Sequence, residues 1–135
     1  MKTKIFLNLP VKDLKRSMAF FTELGFTFNL KFTDDKAACL EIGENIFAML
    51  ITEEVFKTFT QKQICDTATT TEVLMALSVE SREKVEEMIA SVERAGGKEY
   101  MEARDYGWMY QKAFLDLDGH HWEIFFMDES QVPSN

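Results

Sequence analysis

The order of predicted secondary structure repeats along this chain, and that repetition restricts its fold more than any other feature. In the first half, hydrophobic periodicity and turn residues predict a strand, a helix and three strands, at residues 4–9, 14–24, 26–32, 37–42 and 46–51. The second half repeats this order, with segments at residues 72–79, 82–95, 99–101 and 108–115 and a last strand beginning near His121. A loop is predicted between the third and fourth of these, at residues 103–107. Two copies of a strand–helix–three-strand unit predict an α+β fold with outer helices and a sheet whose other face is concave.

Length and composition set further bounds. A chain of 135 residues is of single-domain size, and we expect one domain over residues 1–130, with modules at 4–65 and 72–128. The net charge of −8 argues against a nucleic-acid partner, which requires clustered Lys and Arg. No apolar run reaches membrane-spanning length and the first residues do not resemble a signal peptide. We therefore expect a cytoplasmic protein with no membrane partner, in which Cys39 and Cys65 are free thiols.

The segment from Asp116 to Phe126 combines a turn with an alternating strand. Asp116-Leu-Asp-Gly119 is typical of a turn, and the strand then places Trp122, Ile124 and Phe126 on one face and His121, Glu123 and Phe125 on the other. A carboxylate among aromatic side chains suits general acid/base chemistry, so Glu123 is the candidate catalytic residue. The structural alternative is that Glu123 pairs with Lys112 or Tyr110 on the preceding strand. His120 is out of phase with that face and is expected to belong to the turn.

Several segments together resemble the vicinal oxygen chelate superfamily, which includes glyoxalase I, bleomycin-resistance proteins and extradiol dioxygenases. The segments that carry the resemblance are Leu9-Pro-Val-Lys-Asp-Leu14, Phe20-Phe21, Leu24-Gly-Phe26, Ala76-Leu-Ser-Val79, Tyr106-Gly-Trp-Met-Tyr110 and Asp116–Phe126. The fifth of these, Tyr106–Tyr110, also resembles a bacterial glyoxalase-like branch. The resemblance implies two βαβββ modules that form a curved mixed sheet with a U-shaped cleft. It also implies a homodimer.

Enzymes of this superfamily hold a divalent metal with four strand positions, usually His, Glu or Gln, His and Glu. On this chain the resemblance places those positions at Phe6, at Met49 or Leu50, at Leu74 and at Glu123. Only Glu123 can bind a hard divalent ion, whereas a catalytic site normally has three protein ligands. We therefore expect no metal or other cofactor. A divalent ion would need a non-standard site, built from His121 and Glu123 with Cys39 or Asp128.

The same positions, with their neighbours, are the candidate ligand-binding residues. Asn8 follows Phe6 on one strand face and offers a hydrogen-bond donor and acceptor. Trp108 and Tyr110 are expected near the mouth of the cleft, where aromatic walls suit a planar or cationic ligand. The full set is Phe6, Asn8, Met49, Leu50, Leu74, Trp108, Tyr110 and His121.

Three functions are compatible with the sequence, which leaves open whether the chain is an enzyme. The first is a metal-independent protein of the glyoxalase/bleomycin-resistance type that binds a small apolar or aromatic molecule in its cleft. A cationic molecule is an option within this hypothesis. Twelve Phe and eight Met residues favour such an apolar cavity. The alternative is a metal-dependent lyase or dioxygenase-type enzyme on a vicinal-oxygen substrate, with Glu123 as ligand or base. A third reading is a partner-binding module without a small ligand.

Overall fold

A computed structural model describes residues 1–134 of the chain. The chain divides into two compact units, with the boundary between Asp66 and Thr67. This boundary lies between the two modules expected at residues 4–65 and 72–128. Each unit has the predicted order of one strand, one helix and three strands, so the α+β class and the βαβββ modules are confirmed.

The first unit is a four-stranded mixed sheet with one main helix. Its elements are β1 (Ile5–Val11), α1 (Leu14–Glu23), β2 (Thr27–Asn29), β3 (Ala37–Gly43) and β4 (Ile46–Thr52), followed by a short helix α2 (Glu53–Phe56). The strand order is β1-β4-β3-β2. The β1–β4 pair is parallel and the other two pairs are antiparallel. A parallel pair requires a crossover connection, which here includes α1.

The second unit repeats this topology. Its elements are β5 (Leu74–Ser78), α3 (Arg82–Arg94), β6 (Lys98–Asp105), β7 (Met109–Leu115) and β8 (His121–Met127). The strand order is β5-β8-β7-β6, again with one parallel pair, β5–β8. The two units therefore match strand for strand, as the duplicated pattern in the sequence predicts.

Both main helices begin directly after a residue whose side chain caps the helix. The Asp13 carboxylate accepts a hydrogen bond from the Arg16 amide at 3.1 Å, and the Ser81 hydroxyl accepts one from the Lys84 amide at 3.0 Å. Each bond satisfies an amide that has no partner within the helix, which contributes about 1 kcal/mol to helix stability. The caps fix where the two crossover helices start, and so where each returns to its sheet.

Two strand predictions need correction. The strand predicted at residues 26–32 ends at Asn29, because the Asn29 side chain accepts a hydrogen bond from the Lys31 amide and turns Leu30–Phe32 into a 3-10 helix. The strand predicted at residues 99–101 is longer and extends to Asp105, through most of the loop predicted at 103–107. A bulge interrupts the pairing of β6 with β7 between Tyr100 and Arg104, and this irregularity removes the alternation that marks a strand.

In both sheets, one face is buried and the other carries polar groups. The first core includes Leu9, Val11, Phe20, Phe21, Leu40 and Leu50, and the second includes Val85, Ile89, Val92, Phe114, Trp122 and Ile124. Side chains of opposite parity, such as Asn8 and Glu123, lie on the other face of their strands. None of the helices in residues 1–134 has the length and apolar character needed to cross a membrane.

Candidate functional site

A hydrogen-bonded turn fixes the start of β8. The Asp116 carboxylate accepts hydrogen bonds from the Trp122 indole at 3.0 Å and from the amides of Asp118 and His120 at 2.9 and 3.0 Å. Burial raises the pKa of Asp116 above its usual value, although the hydrogen bonds and His120 oppose that shift. His120 belongs to this turn, as predicted, and its Nδ1 lies 2.8 Å from Oε1 of Glu72. The turn thus orients the strand that carries the candidate catalytic residue.

The two faces of β8 have the predicted character. Trp122 and Ile124 are 1% and 0% exposed, and the Trp122 ring stacks on Phe114 in the core. His121 and Glu123 lie on the other face of β8. In the parallel ladder they pair with Leu74 and Ala76 of β5. Packing of the buried face in the core therefore positions an imidazole and a carboxylate on the other face of the strand.

These two side chains line a small concavity on the second sheet. Its volume is about 170 Å³, and it is lined by Leu74, Met101, Glu102, Arg104, Gln111, Ala113, His121 and Glu123. Three of the predicted site residues, Leu74, His121 and Glu123, thus come together in one pocket. The apolar side chains provide its walls, and the polar groups provide directional contacts, as is usual for small-molecule sites.

His121 and Glu123 are close but not hydrogen-bonded. Nε2 of His121 lies 3.2 Å from Oε2 of Glu123, and this nitrogen is buried with no hydrogen-bond partner in residues 1–134. The edge of the Tyr100 ring packs against the His121 ring, with 5.5 Å between centroids. The Glu123 side chain is only 17% exposed. Buried polar groups are normally paired, so this pair has unused hydrogen-bonding capacity.

The bulge in β6 forms one wall of the pocket. Tyr100 pairs with Ala113 and Arg104 pairs with Gln111, so the three residues between them face a single residue of β7. Met101 adopts a left-handed conformation (φ 68°), which is uncommon for a residue other than Gly. Met101, Glu102 and Arg104 could not be predicted as site residues from the sequence, because a bulge has no periodic pattern that would place its side chains on one face.

The predicted structural partners of Glu123 lie elsewhere. Lys112 and Tyr110 both bind Glu86 of α3: the Lys112 Nζ lies 3.0 Å from Oε2 of Glu86, and the Tyr110 hydroxyl donates to Oε1. The hydrogen bonds from Tyr110 and Lys112 lower the pKa of Glu86. The alternative pairing of Glu123 is therefore wrong, since both side chains leave β7 on the helix side of the sheet. Within the described chain, Glu123 forms no ion pair with Lys or Arg.

The predicted aromatic mouth also needs correction. The Arg82 guanidinium lies 4.8 Å from the centroid of the Tyr110 ring, on the α3 side of the sheet. Trp108 is half-buried and its ring lies 6.2 Å from that of Tyr106, and it does not line the pocket. Alternation along β7 explains both positions, because the residues that share a face with Glu123 are Gln111 and Ala113.

In the first unit, Phe6, Asn8 and Met49 share the face opposite the core. Phe6 lies beside Phe47, with 4.8 Å between stacked rings, and Asn8 lies beside Met49 in the parallel ladder. Leu50 is fully buried on the core face. Of the two residues proposed for the fourth strand, Met49 therefore shares a face with Phe6.

The ligand positions implied by the resemblance are equivalent in the two units but do not form a metal-binding set. Phe6 faces Phe47, with Met49 two residues further along β4, and Leu74 faces His121, with Glu123 two residues further along β8. Of the four implied ligand positions, Phe6, Met49 and Leu74 have no side-chain oxygen or nitrogen that could bind a metal. The set therefore does not fit a hard divalent ion.

The non-standard donors do not complete a metal site either. In the part of the chain that the structure describes, no group of three or more His, Cys, Asp or Glu side chains is placed to share a metal ion. Asp128, one of the two proposed extra donors, accepts hydrogen bonds from the amide and hydroxyl of Ser130. Cys39, the other, is buried in the first unit, and burial raises the pKa of its thiol.

Comparison with known proteins identifies similar sequences and folds. The family model for the bleomycin resistance protein-like N-terminal region matches residues 3–43. A hypothetical protein from S. aureus has a solved structure that is 30% identical, covers 93% of this chain and 95% of its own length, and has a TM-score of 0.79. A search of curated proteins gave no match.

Two further solved structures share the fold at lower identity. A glyoxalase/bleomycin resistance protein/dioxygenase family enzyme from Burkholderia phytofirmans is 16% identical, with 90% of this chain and 96% of that chain covered and a TM-score of 0.77. The fosfomycin resistance protein FosX from Listeria monocytogenes is 17% identical, with 100% and 96% covered and a TM-score of 0.68.

Proposed function

Since the chain belongs to the vicinal oxygen chelate superfamily, we propose that it is a small-molecule-binding protein of the glyoxalase/bleomycin-resistance type that works without a metal ion. Its ligand has an apolar or aromatic body and a cationic or hydrogen-bond-donating group. The apolar body contacts side chains such as Leu74 and Met101, and the donor group binds Glu123.

The observation that best supports this proposal is the environment of the Glu123 carboxylate. Its carboxylate is largely buried, its closest charged or ionisable neighbour is a misaligned imidazole, and both expected partners bind Glu86 instead. A carboxylate in a partly desolvated pocket is stabilised by any donor that enters. Charge-assisted hydrogen bonds contribute about 1.5–3 kcal/mol, so a cation at this position would account for roughly a 10- to 150-fold gain in affinity.

Metal independence rests on the donor set. Phe6, Met49 and Leu74 occupy the positions where the superfamily places three of its four metal ligands. None of these side chains can bind Zn²⁺, Mn²⁺ or Fe²⁺ as the His, Glu and Gln ligands of the superfamily do. The predicted ligand Glu123 is left as a lone carboxylate, which is free to contact an organic ligand directly.

Two measurements on the purified full-length protein test the proposal. A thermal-shift screen of aromatic and cationic compounds, repeated with EDTA, is expected to give ligands whose stabilisation is unchanged by the chelator. Glu123→Gln should weaken those ligands about 10-fold or more. Glu44→Gln, which changes an exposed carboxylate in the turn between β3 and β4, is the matched control and should have no effect.

Elemental analysis supplies the contrary outcome. If the protein, after incubation with Ni²⁺, Zn²⁺, Mn²⁺ or Fe²⁺, retained one ion per chain and lost it on Glu123→Gln, the metal-dependent lyase or dioxygenase alternative would replace this proposal. The homodimer and the cytoplasmic location stay predictions. Light scattering would give the mass in solution to compare with the 15.6 kDa of one chain.

A further inference from the structure

A cationic side chain, Arg104, lines the same pocket and has no ion-pair partner within residues 1–134. We propose that the pocket binds a small zwitterion, whose ammonium group contacts Glu123 and whose carboxylate, or an equivalent anionic group, contacts Arg104. This inference rests on the proposed function and specifies its ligand class.

The surroundings of Arg104 support the proposed contact with the anionic group of the ligand. Arg104 forms no ion pair and no side-chain hydrogen bond in residues 1–134, although Glu102 lies two positions away in the same bulge. The contrast is Arg82, whose guanidinium binds both carboxylate oxygens of Asp105 at 2.8 and 2.9 Å. A guanidinium binds planar anions through paired N–H groups, so Arg104 is available for a carboxylate that enters the pocket.

The sheet register places the two charges on opposite sides of the pocket. Arg104 pairs with Gln111, Gln111 pairs with Phe125, and Glu123 lies two residues from Phe125 along β8. Two strand spacings of about 4.8 Å and a two-residue displacement of about 6.6 Å separate the Cα atoms of Arg104 and Glu123 by roughly 12 Å. Both side chains line the pocket, so one small molecule that carries both charges can contact the two.

The pocket supplies further polar contacts and limits ligand size. Gln111 lies on the strand between Arg104 and Glu123, and the unpartnered Nε2 of His121, a residue that is only 9% exposed, lies 3.2 Å from Oε2 of Glu123. Sites for drug-sized ligands usually enclose about 300–1,000 Å³. A cavity of about 170 Å³ is therefore matched to a molecule of amino-acid size and not to a peptide or nucleotide.

Calorimetric titration of the full chain with matched compounds tests the inference. The zwitterions are leucine, β-alanine, γ-aminobutyrate and glycine betaine. For two of them the comparison removes one charge at a time: isoamylamine and 4-methylpentanoate for leucine, propylamine and butyrate for γ-aminobutyrate. We expect at least one of these two zwitterions to bind at least 10-fold more tightly than both of its singly charged counterparts.

Arg104→Gln should remove most of the difference between that zwitterion and its amine. Because Arg104 is exposed and unpaired, this variant should fold, which circular dichroism can check. Arg16→Gln, an exposed arginine of α1 in the other unit, is the matched control and should keep the full difference.

The outcomes separate this inference from the proposed function. If amines bind as tightly as zwitterions and depend on Glu123, the proposed function stands and the zwitterion inference is wrong. It is also wrong if none of the four zwitterions binds, or if the zwitterion advantage persists in Arg104→Gln. If no aromatic or cationic compound binds in the wider screen, the proposed function itself fails.

Discussion

The turn that leads into β8 contains a close contact that a single methyl group would disrupt. Gly119 has φ +81°, and a Cβ added there would lie 2.6 Å from Oγ1 and 3.0 Å from Cβ of Thr67. The Thr67 hydroxyl donates a hydrogen bond to the Asp118 carbonyl, so it cannot move aside without losing that bond. Gly119→Ala therefore combines backbone strain with steric overlap.

The two contributions can be estimated separately. A left-handed backbone costs a non-glycine residue roughly 1–2 kcal/mol, and forcing an extra methyl group into a packed site costs about 1–3 kcal/mol. Gly119→Ala should thus lower the free energy of unfolding by about 2–5 kcal/mol. Gly107 has the same φ of +81° but open space around its Cβ position, so Gly107→Ala should cost only about 1–2 kcal/mol.

A double-mutant cycle with Thr67 isolates the overlap. Thr67→Ala alone loses one hydrogen bond, at a cost of about 1 kcal/mol. The double variant relieves the overlap with Oγ1, and should be about 1–3 kcal/mol more stable than the sum of the single effects predicts. Urea denaturation followed by Trp fluorescence measures all four proteins. Equal losses in Gly119→Ala and Gly107→Ala, with additive behaviour in the cycle, would refute the reasoning.

Three more predictions follow from contacts in the second unit. Asp116→Asn leaves one acceptor oxygen where Asp116 has two, so either the Trp122 indole or the Asp118 and His120 amides lose their partner; it should cost about 1–3 kcal/mol, with a change in Trp emission. The hydrogen bonds from Arg82 lower the pKa of Asp105 to about 2, below its usual 3.8. The stabilisation of the folded state by this ion pair is therefore complete above about pH 4 and is lost as the pH falls through about 2. Arg82→Gln should flatten that acid dependence, measured as the urea midpoint between pH 5 and pH 2. Tyr110→Phe should leave ligand affinity unchanged, because this side chain lies on the helix face of its sheet.

The fold could be predicted from sequence because its determinants are local. Asp13 and Ser81 cap the helices that their side-chain chemistry indicates, and the alternation from Trp122 to Ile124 correctly separates the two faces of β8. These features depend on residues a few positions apart, whose periodicity survives in the printed sequence.

The candidate site was only partly predictable because its wall depends on non-local geometry. Glu123, His121 and Leu74 lie in regular strands, and their common face follows from a two-residue period. Glu102 and Arg104 join them only because a bulge shifts the register of β6. Tyr110 was predicted near the mouth of the cleft, but it lies on the helix side of the sheet. The prediction considered its distance along β7 and not the alternation of side chains between the two faces of the strand.

The bulge in β6 has a consequence for how such a pocket can evolve. Residues 101–103 lie outside the regular ladder, between the paired positions Tyr100 and Arg104. Insertions or deletions in this segment would change the shape of the pocket wall while both flanking ladders kept their partners. Selection for new ligands could therefore act on the length of one short segment, leaving the core of the sheet and its inherited topology intact.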